Sequence, residues 1–229
     1  MDEPELQKHQ RVNDILLGPL ERKALAWLCP RMPLWVTPDV LTLLALAAGI
    51  LIAASYALTN YSDDFLWLAS FGFVVHWFGD SLDGTLARFR KIERPRYGYF
   101  VDHSLDSFTE FLIGLGIGLS PFVRLDIALF AISGYLLMSI SVYIRTYITG
   151  VFQISYGKFG PTEVRVAVII ANTLIYFTDN PGMHTDYGHF TLFDAIAFSI
   201  GIVLIAIFLF TTLRIALQLG RQEPPQPGV

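Results

Sequence analysis

The sequence predicts an all-α, polytopic membrane protein with six transmembrane helices preceded by an amphipathic helix in the membrane interface. Hydrophobic residues make up 53% of the 229 positions and charged residues only 16%. The mean hydropathy is +0.50, which is outside the range of ordinary soluble domains. Six apolar stretches also approach the roughly 20 residues that a helix needs to cross a bilayer. We predict spans at about residues 40–58, 65–88, 97–119, 125–148, 161–177 and 193–217.

The segments outside these spans have distinct compositions. Residues 1–36 are predicted to form a cytoplasmic segment whose Leu16, Leu20 and Trp27 recur at helical spacing. Such a helix can lie in the membrane interface or pack on protein, and the pattern fits both. Residues 37–219 form the transmembrane domain, within which the polar stretch 178–191 predicts an exposed loop. The proline-rich residues 220–229 predict a disordered tail.

Basic residues predict the orientation, because short cytoplasmic loops collect Lys and Arg. They precede the first span, join spans two and three, lie between spans four and five, and end span six, so both termini are expected in the cytoplasm. No cleaved signal peptide is expected. The small net charge of −4 gives no support to a nucleic-acid partner, and the single cysteine, Cys29, excludes an intramolecular disulfide.

Four aspartates lie within predicted membrane spans, where a charged side chain has a high free-energy cost. Asp80 and Asp83 share one face of the second span, and Asp102 and Asp106 share one face of the third. The short connection between these spans makes them antiparallel, which pairs Asp80 with Asp106 and Asp83 with Asp102. Oxygen ligands without Cys or paired His favour Mg²⁺ or Mn²⁺. We therefore predict that the four aspartates bind divalent metal, with two ions.

Small and basic residues interleave with these acids. Gly84 and Gly98 allow a helix backbone or a nucleotide to approach closely, and Arg88 suits a phosphate. Metal ions held here could grip a diphosphate and orient a hydroxyl, as phosphoryl-type transfer requires. The alternative is an ion or proton transporter, or acids that simply pair with Arg88 and Arg145. Transport does not require the glycine and arginine spacing, so the pattern favours an enzyme.

Two further groups on the third span have structural interpretations. Glu110 extends the acidic face one turn deeper, where it could tune the site, but we interpret it as a hydrogen-bonded structural acid. Gly114, Gly116 and Gly118 lie mid-membrane without a following Lys, which favours close helix packing over a phosphate loop.

The acidic pattern resembles the signature of the CDP-alcohol phosphotransferases, D-x-x-D-G-x-x-A-R…G-x-x-x-D-x-x-x-D. The matching residues are Asp80, Asp83, Gly84, Ala87, Arg88, Gly98, Asp102 and Asp106. Residues 37–42 also resemble the family's start of the first span, with Asp39 where Asn is usual. The resemblance implies a phospholipid-synthesising enzyme, a homodimer, release of CMP, and cytidine bound near Gly84 and Ala87. It makes Asp106 a metal ligand, the general base for the acceptor hydroxyl, or both.

Two branches of the family remain open. His103, together with Glu163 at the start of the fifth span, resembles the choline/ethanolamine branch, in which such residues activate a lipid hydroxyl and the donor is a CDP-linked head group. Alternatively, His103 is a hydrogen-bond donor beside the metal ligands and Glu163 a favourable charge at a helix N-terminus.

Against that branch, the chain is short, and most compact relatives transfer a phosphatidyl group from CDP-diacylglycerol to a soluble alcohol. Arg145, Lys158 and Arg165 would then suit an acceptor that carries phosphate. Anchoring of the cytoplasmic side by positive charge explains Lys158 equally well.

Overall fold

A computed structural model describes residues 10–12, 15–153, 160–178, 180–185 and 188–223 of the chain. Seven α-helices form within these ranges: α1 Gly18–Leu28, α2 Pro38–Leu58, α3 Phe65–Arg90, α4 Pro95–Gly118, α5 Leu125–Thr149, α6 Pro161–Thr178 and α7 Leu192–Gln222. Two small sheets accompany them. Strands β1 (Gln10–Val12) and β2 (Val151–Gln153) pair in parallel, and β3 (Gly182–Thr185) and β4 (Gly188–Thr191) form an antiparallel hairpin.

Helices α2 to α7 occupy the positions of the six predicted spans. Four of them, α2, α3, α5 and α7, are long and apolar enough to cross a membrane. Within the described ranges, α4 and α6 do not meet the same criterion, and these helices carry the charged side chains Asp102, Asp106 and Arg165. The protein is thus an all-α membrane protein in outline, while the count of six spans and the interfacial location of α1 stay predictions.

The structure differs from the prediction at two places near the C-terminus. The stretch 178–191 contains the β3–β4 hairpin, and β4 leads directly into α7 through a capping box between Thr191 and Asp194. The T-x-x-D pattern is a signal for this helix start. Helix α7 also continues to Gln222, so part of the predicted tail is helical. Residues 224–229 lie outside the described part of the chain.

Glycines set the distances between neighbouring helices. A Cβ added at Gly79 of α3 would lie 2.6 Å from the carbonyl oxygen of Leu41 in α2, and one at Gly116 of α4 would lie 2.5 Å from Cα of Ala53 in α2. Cβ atoms at Gly114 and Gly118 would each come within 2.8 Å of a side-chain carbon of α5. The packing interpretation of the glycines in α4 is therefore confirmed, and α2 is the helix on which both α3 and α4 pack closely.

Arg90 fixes the connection between α1 and α2. Its guanidinium donates hydrogen bonds to the backbone carbonyls of Val36 (2.6 Å), Met32 (2.9 Å) and Pro33 (2.9 Å). Carbonyl groups in an irregular connection need such donors, because no helix satisfies them. The start of α2 is thereby tied to the end of α3.

A buried hydrogen-bond network joins three helices within the apolar core. The Tyr56 hydroxyl of α2 donates to Oδ1 of Asn172 in α6 (2.8 Å), and the Asn172 amide donates to Oγ of Ser70 in α3 (3.1 Å). Only 3% of the Asn172 surface is exposed. Because a buried amide is costly without partners, this network selects one rotation of α6 about its axis.

We predict that Tyr56→Phe lowers the midpoint temperature of unfolding, because the substitution leaves Oδ1 of Asn172 without its donor. The expected loss is about 1 kcal/mol. Thermal unfolding of the detergent-solubilised protein measures it. Tyr61→Phe is the matched control, since Tyr61 is 85% exposed. Equal midpoints for the two variants would contradict the role given to the network.

Candidate active site

A tight turn reverses the chain between α3 and α4. Lys91 ends α3 in the left-handed conformation with φ of 57°, and the N–H of Ile92 donates to the carbonyl of Ala87 at 3.0 Å. This 6→1 bond closes the helix end and sends the chain back after four residues. The acidic faces of α3 and α4 consequently meet through their side chains, while the helix backbones both pack on α2.

The four predicted aspartates converge between these two helices. Asp106 interacts electrostatically with Asp80, which is the pairing that chain direction predicts. Asp102 interacts electrostatically with Asp106, Asp83 and Asp80. Asp83 is 6% exposed. It accepts hydrogen bonds from the Thr42 hydroxyl at 2.7 Å and from the Gly84 N–H.

The donor set fits a divalent cation. One ligand atom each from Asp102, His103 and Asp106 lies within 4.8 Å of the others, and in the part of the chain that the structure describes Asp80 and Asp83 do not join this group. Two carboxylates as close as those of Asp102 and Asp106 repel each other unless they share a proton or a cation. Carboxylate oxygens are the ligands that Mg²⁺ and Mn²⁺ prefer, so these aspartates would hold such an ion. The sequence analysis did not consider His103 as part of the ligand group.

A cleft of about 390 Å³ opens beside the acidic cluster at the turn between α3 and α4. Three of the four predicted nucleotide-binding residues, Gly84, Ala87 and Gly98, line it together with Asp83 and Asp102. Among the described residues, a Cβ at Gly98 would meet nothing within 4 Å, and one at Gly84 would meet only the Arg88 guanidinium. The two glycines therefore border open space and do not serve close helix packing.

The rim of the cleft contains residues that the sequence analysis did not assign. Arg94 forms an ion pair with Asp39, and its guanidinium lies 4.0 Å from the centre of the Tyr97 ring. The hydrogen bond to Asp39 raises the pKa of Arg94 above its ordinary value. Asp39, Arg94 and Tyr97 all line the cleft, as do Thr37 and Thr42. The pair thus connects α2 with the turn that precedes α4.

His103 and Glu163 take up different positions. Nδ1 of His103 lies 3.7 Å from Oδ2 of Asp102 and 3.9 Å from Oδ2 of Asp106. Its ring is stacked on Tyr143, with centroids 5.2 Å apart, and meets the edge of Tyr99. The aromatic rings hold the imidazole at the edge of the acidic cluster, beside both carboxylates.

Glu163 instead fastens the N-terminal segment to the start of α6. Its two carboxylate oxygens accept hydrogen bonds from the N–H of Leu17 (2.7 Å) and the N–H of Gly160 (2.9 Å). Only 4% of the residue is exposed. Beside it, the Thr162 hydroxyl donates to Glu21 of α1 at 2.7 Å. These contacts give Glu163 a structural role that the interpretation as a helix N-terminal charge only partly anticipated.

The arginines predicted to bind phosphate lie in different parts of the structure. Arg165 of α6 donates to Oδ2 of Asp80 at 2.5 Å, and both side chains are largely buried. Arg88 donates to Oγ1 of Thr85 at 3.2 Å, one turn beyond Gly84. Arg145 is half-buried near the end of α5, and Lys158 lies outside the described residues. The binding of an acceptor phosphate by Arg145, Lys158 or Arg165 stays a prediction.

Helix α5 presents a polar stripe to α4 that the sequence analysis missed. Tyr135, Ser139 and Tyr143 follow one another at intervals of four residues along α5. Ser139 lies near Glu110, and Tyr143 lies near Ser107. The spacing of four was the available signal, since it places the three side chains on one helix face.

Comparison with known proteins identifies a family. Residues 35–217 match the sequence model described as CDP-alcohol phosphatidyltransferase. Cholinephosphotransferase 1 of Bos taurus is 30% identical over 172 residues, which cover 71% of this chain and 41% of that protein. CDP-diacylglycerol–serine O-phosphatidyltransferase of Encephalitozoon cuniculi is 29% identical over 171 residues, covering 67% and 40%. Phosphatidylinositol phosphate synthase of Cutibacterium acnes is 35% identical over 85 residues, covering 37% and 38%.

The chain spans about two fifths of the length of these relatives. The predicted family is confirmed by the match, and the relatives named cholinephosphotransferase confirm the resemblance to the choline/ethanolamine branch.

We predict that Glu163→Gln loosens the N-terminal segment, because an amide offers one acceptor oxygen to the two N–H donors. Losing a hydrogen bond to a charged group costs about 1.5–3 kcal/mol, so trypsin cleavage after Arg22 should accelerate about tenfold or more. Glu93→Gln, in the exposed turn before α4, is the control. Unchanged cleavage in Glu163→Gln would mean that these contacts do not hold the segment.

Proposed function

This chain belongs to the CDP-alcohol phosphatidyltransferase family, and on that premise we propose that it transfers a substituted phosphate group from a CDP-linked donor to an alcohol. CMP is the second product, and phospholipid synthesis is the process served. The observation that carries the proposal is the convergence of Asp80, Asp83, Asp102 and Asp106 next to a cleft bordered by two open glycines. The protein is proposed to act as an integral membrane enzyme with this cleft on the cytoplasmic side.

The cleft supports binding of the nucleotide half of the donor. Gly84 and Gly98 leave room for it, while Thr37 and Thr42 offer hydroxyl groups. The diphosphate would lie toward Asp83 and Asp102, at the end of the cleft nearest the carboxylates. Mg²⁺ or Mn²⁺ bound by the aspartates would neutralise the phosphate oxygens and polarise the phosphorus. Thr42 and the Gly84 N–H hold the Asp83 carboxylate in a fixed orientation.

The transfer forms one bond and breaks one. The acceptor oxygen bonds to the phosphorus that carries the donor's alcohol, and the bond from that phosphorus to the oxygen of CMP breaks. The proton of the acceptor hydroxyl passes to Asp106 or to His103, whose Nδ1 is 3.9 Å from Oδ2 of Asp106. Protonated His103 would be stabilised by the neighbouring carboxylates of Asp102 and Asp106. Glu163, bound to two backbone N–H groups, is assigned to positioning and not to this proton transfer.

The contacts of Arg165 help to distinguish the two possible types of transfer. In phosphatidyl transfer to a phosphate-bearing alcohol, Arg165 would have to leave Asp80 or bind both groups. In transfer of a head group from a CDP-alcohol to a diacylglycerol-like lipid, Arg165 can keep its present partner. The relatives named cholinephosphotransferase support the second type, and the relative named phosphatidylinositol phosphate synthase supports the first. The relative named for serine supports phosphatidyl transfer to an alcohol without phosphate, on which Arg165 has no bearing. We propose the head-group type.

The decisive assay is CMP release by the purified protein in nanodiscs, with a matrix of CDP-choline, CDP-ethanolamine and CDP-diacylglycerol against lipid and soluble alcohols. We expect turnover with Mg²⁺ or Mn²⁺, none with EDTA, and a loss of at least about a hundredfold in Asp106→Asn. Asp126→Asn, at an exposed position in the first turn of α5, should keep full activity. Proton- or metal-coupled flux in proteoliposomes without any CMP release would instead establish the transporter.

Gly98→Leu should separate nucleotide binding from stability. Gly98 lines the cleft, and a Cβ there would meet no described atom within 4 Å, so a leucine side chain would take up space in the cleft. We therefore expect the KM for the CDP-linked donor to rise about tenfold or more. A helix gains up to about 1 kcal/mol when glycine is replaced, so the unfolding midpoint should not fall. Gly220→Leu, also without described neighbours but near the end of α7, is the control. An unchanged KM for the CDP-linked donor would show that the nucleotide does not bind in this cleft.

A further inference from the structure

Polar side chains continue one helical turn beyond the acidic cluster, on the side away from the cleft. His76 precedes Asp80 by four residues on α3, and Glu110 follows Asp106 by four residues on α4. Because the two helices run in opposite directions, both side chains lie about 6 Å deeper than the aspartates along the helix axes. His76 interacts electrostatically with Asp80 and Arg165, and Glu110 with Asp106, Asp80 and Arg165.

Helix α5 closes this deeper group of side chains. Ser139 lies beside Glu110. Tyr135, one turn along the same face, interacts electrostatically with Glu110 and Arg165. The group therefore combines residues of four helices around the inner side of the acidic cluster, and it contains both donors and acceptors of hydrogen bonds.

Two polar atoms of this group lack a hydrogen-bond partner. Nδ1 of His76 and Oε2 of Glu110 are buried and have no hydrogen-bond partner among the described residues. His76 as a whole is only 6% exposed. A buried polar atom without a partner costs about 1–3 kcal/mol. Two such atoms on facing helices, next to a reaction centre, are the expected mark of a site that a polar ligand completes.

The geometry of phosphoryl-type transfer identifies the ligand. The attacking and leaving oxygens lie roughly in line on opposite sides of the phosphorus. If CMP leaves toward the cleft at Gly84 and Gly98, the acceptor oxygen must approach from the opposite side of the aspartates. His76 and Glu110 lie on that side. A hydroxyl group both donates and accepts hydrogen bonds, so it can serve as the partner of a carboxyl oxygen or of an imidazole nitrogen.

We propose that His76 and Glu110, supported by Ser139, form the binding site for the hydroxyl group of the acceptor alcohol. The inference rests on the proposed function and adds the residues that hold the second substrate. In the transfer the bound hydroxyl oxygen bonds to phosphorus, the bond to CMP breaks, and the hydroxyl proton passes to Asp106 or His103. A lipid alcohol and a soluble alcohol present the same hydroxyl chemistry, and the two sources are separated by experiment.

The test compares Michaelis constants in nanodiscs with Mg²⁺. Glu110→Met and His76→Phe keep the side-chain volume and remove the incomplete polar atoms. We expect each to raise the KM for the acceptor about tenfold, the effect of one lost hydrogen bond of about 1.4 kcal/mol, while the KM for the CDP-linked donor stays within about twofold. Glu110→Gln, which keeps one acceptor oxygen, should lie between. Glu223→Met, at the exposed end of α7, is the control.

Parallel assays with diacylglycerol and with soluble alcohols such as serine or inositol phosphate show which source uses the site. The inference is overturned if the KM for the acceptor is unchanged in both Glu110→Met and His76→Phe. It is also overturned if the KM values for donor and acceptor rise equally, because an equal rise indicates a structural role. In either case turnover by the unsubstituted protein would leave the proposed function standing. Absence of turnover by the unsubstituted protein with every donor overturns the proposed function itself.

Discussion

The central constraint on this molecule is the cost of holding several carboxylates close together inside an apolar helix bundle. Asp80, Asp83, Asp102 and Asp106 repel one another, and each adds a desolvation penalty. The structure compensates this charge with hydrogen-bond donors from other helices. Thr42 of α2 and the backbone of Gly84 serve Asp83, and Arg165 of α6 serves Asp80. Together these donors offset only part of the negative charge, which is why we propose that a divalent cation binds at the site.

Helix packing also helps to bring hydrogen-bond donors close to the carboxylates. Gly79 lets α3 approach α2 closely enough for Thr42 to reach Asp83, and Gly116 brings α4 against the other side of α2. Asn172 lies seven residues after Arg165, on the same face of α6. Its hydrogen bonds to Tyr56 and Ser70 fix the rotation that directs Arg165 toward Asp80. Residues far from the cluster in the chain thus determine its electrostatics.

Local periodicity was enough to predict which helix faces carry the four aspartates, but not that His103 joins Asp102 and Asp106 in the closest group of ligand atoms. Asp80 and Asp83, and then Asp102 and Asp106, are spaced so that one helix face carries each pair, and a four-residue connection leaves few ways to place those faces. The contacts of Glu163 could not be predicted in this way, because its partner Leu17 is 146 positions away. Arg94 and Tyr97 were missed because a rim assembled from a turn and the start of another helix has no periodic signal. The β3–β4 hairpin was missed for a related reason: its strands have four residues each, too few for alternation to stand out.

The glycines suggest how the leaving group and the acceptor can occupy separate places in the molecule. Where glycine lies deep in the bundle, as at Gly79 and Gly116, a neighbouring backbone occupies the space of the missing side chain. Where it lies at the cleft, as at Gly84 and Gly98, that space is left to a ligand. Glycine therefore permits close helix packing in the inner part of the bundle and leaves space open at the cleft. We propose that the nucleotide enters and leaves at the cleft, while the unpartnered polar atoms of His76 and Glu110 lie one helical turn beyond the aspartates on the opposite side. Because in-line transfer needs its two oxygens on opposite sides of one phosphorus, this division gives the leaving group and the acceptor separate places without any movement of the aspartates between them.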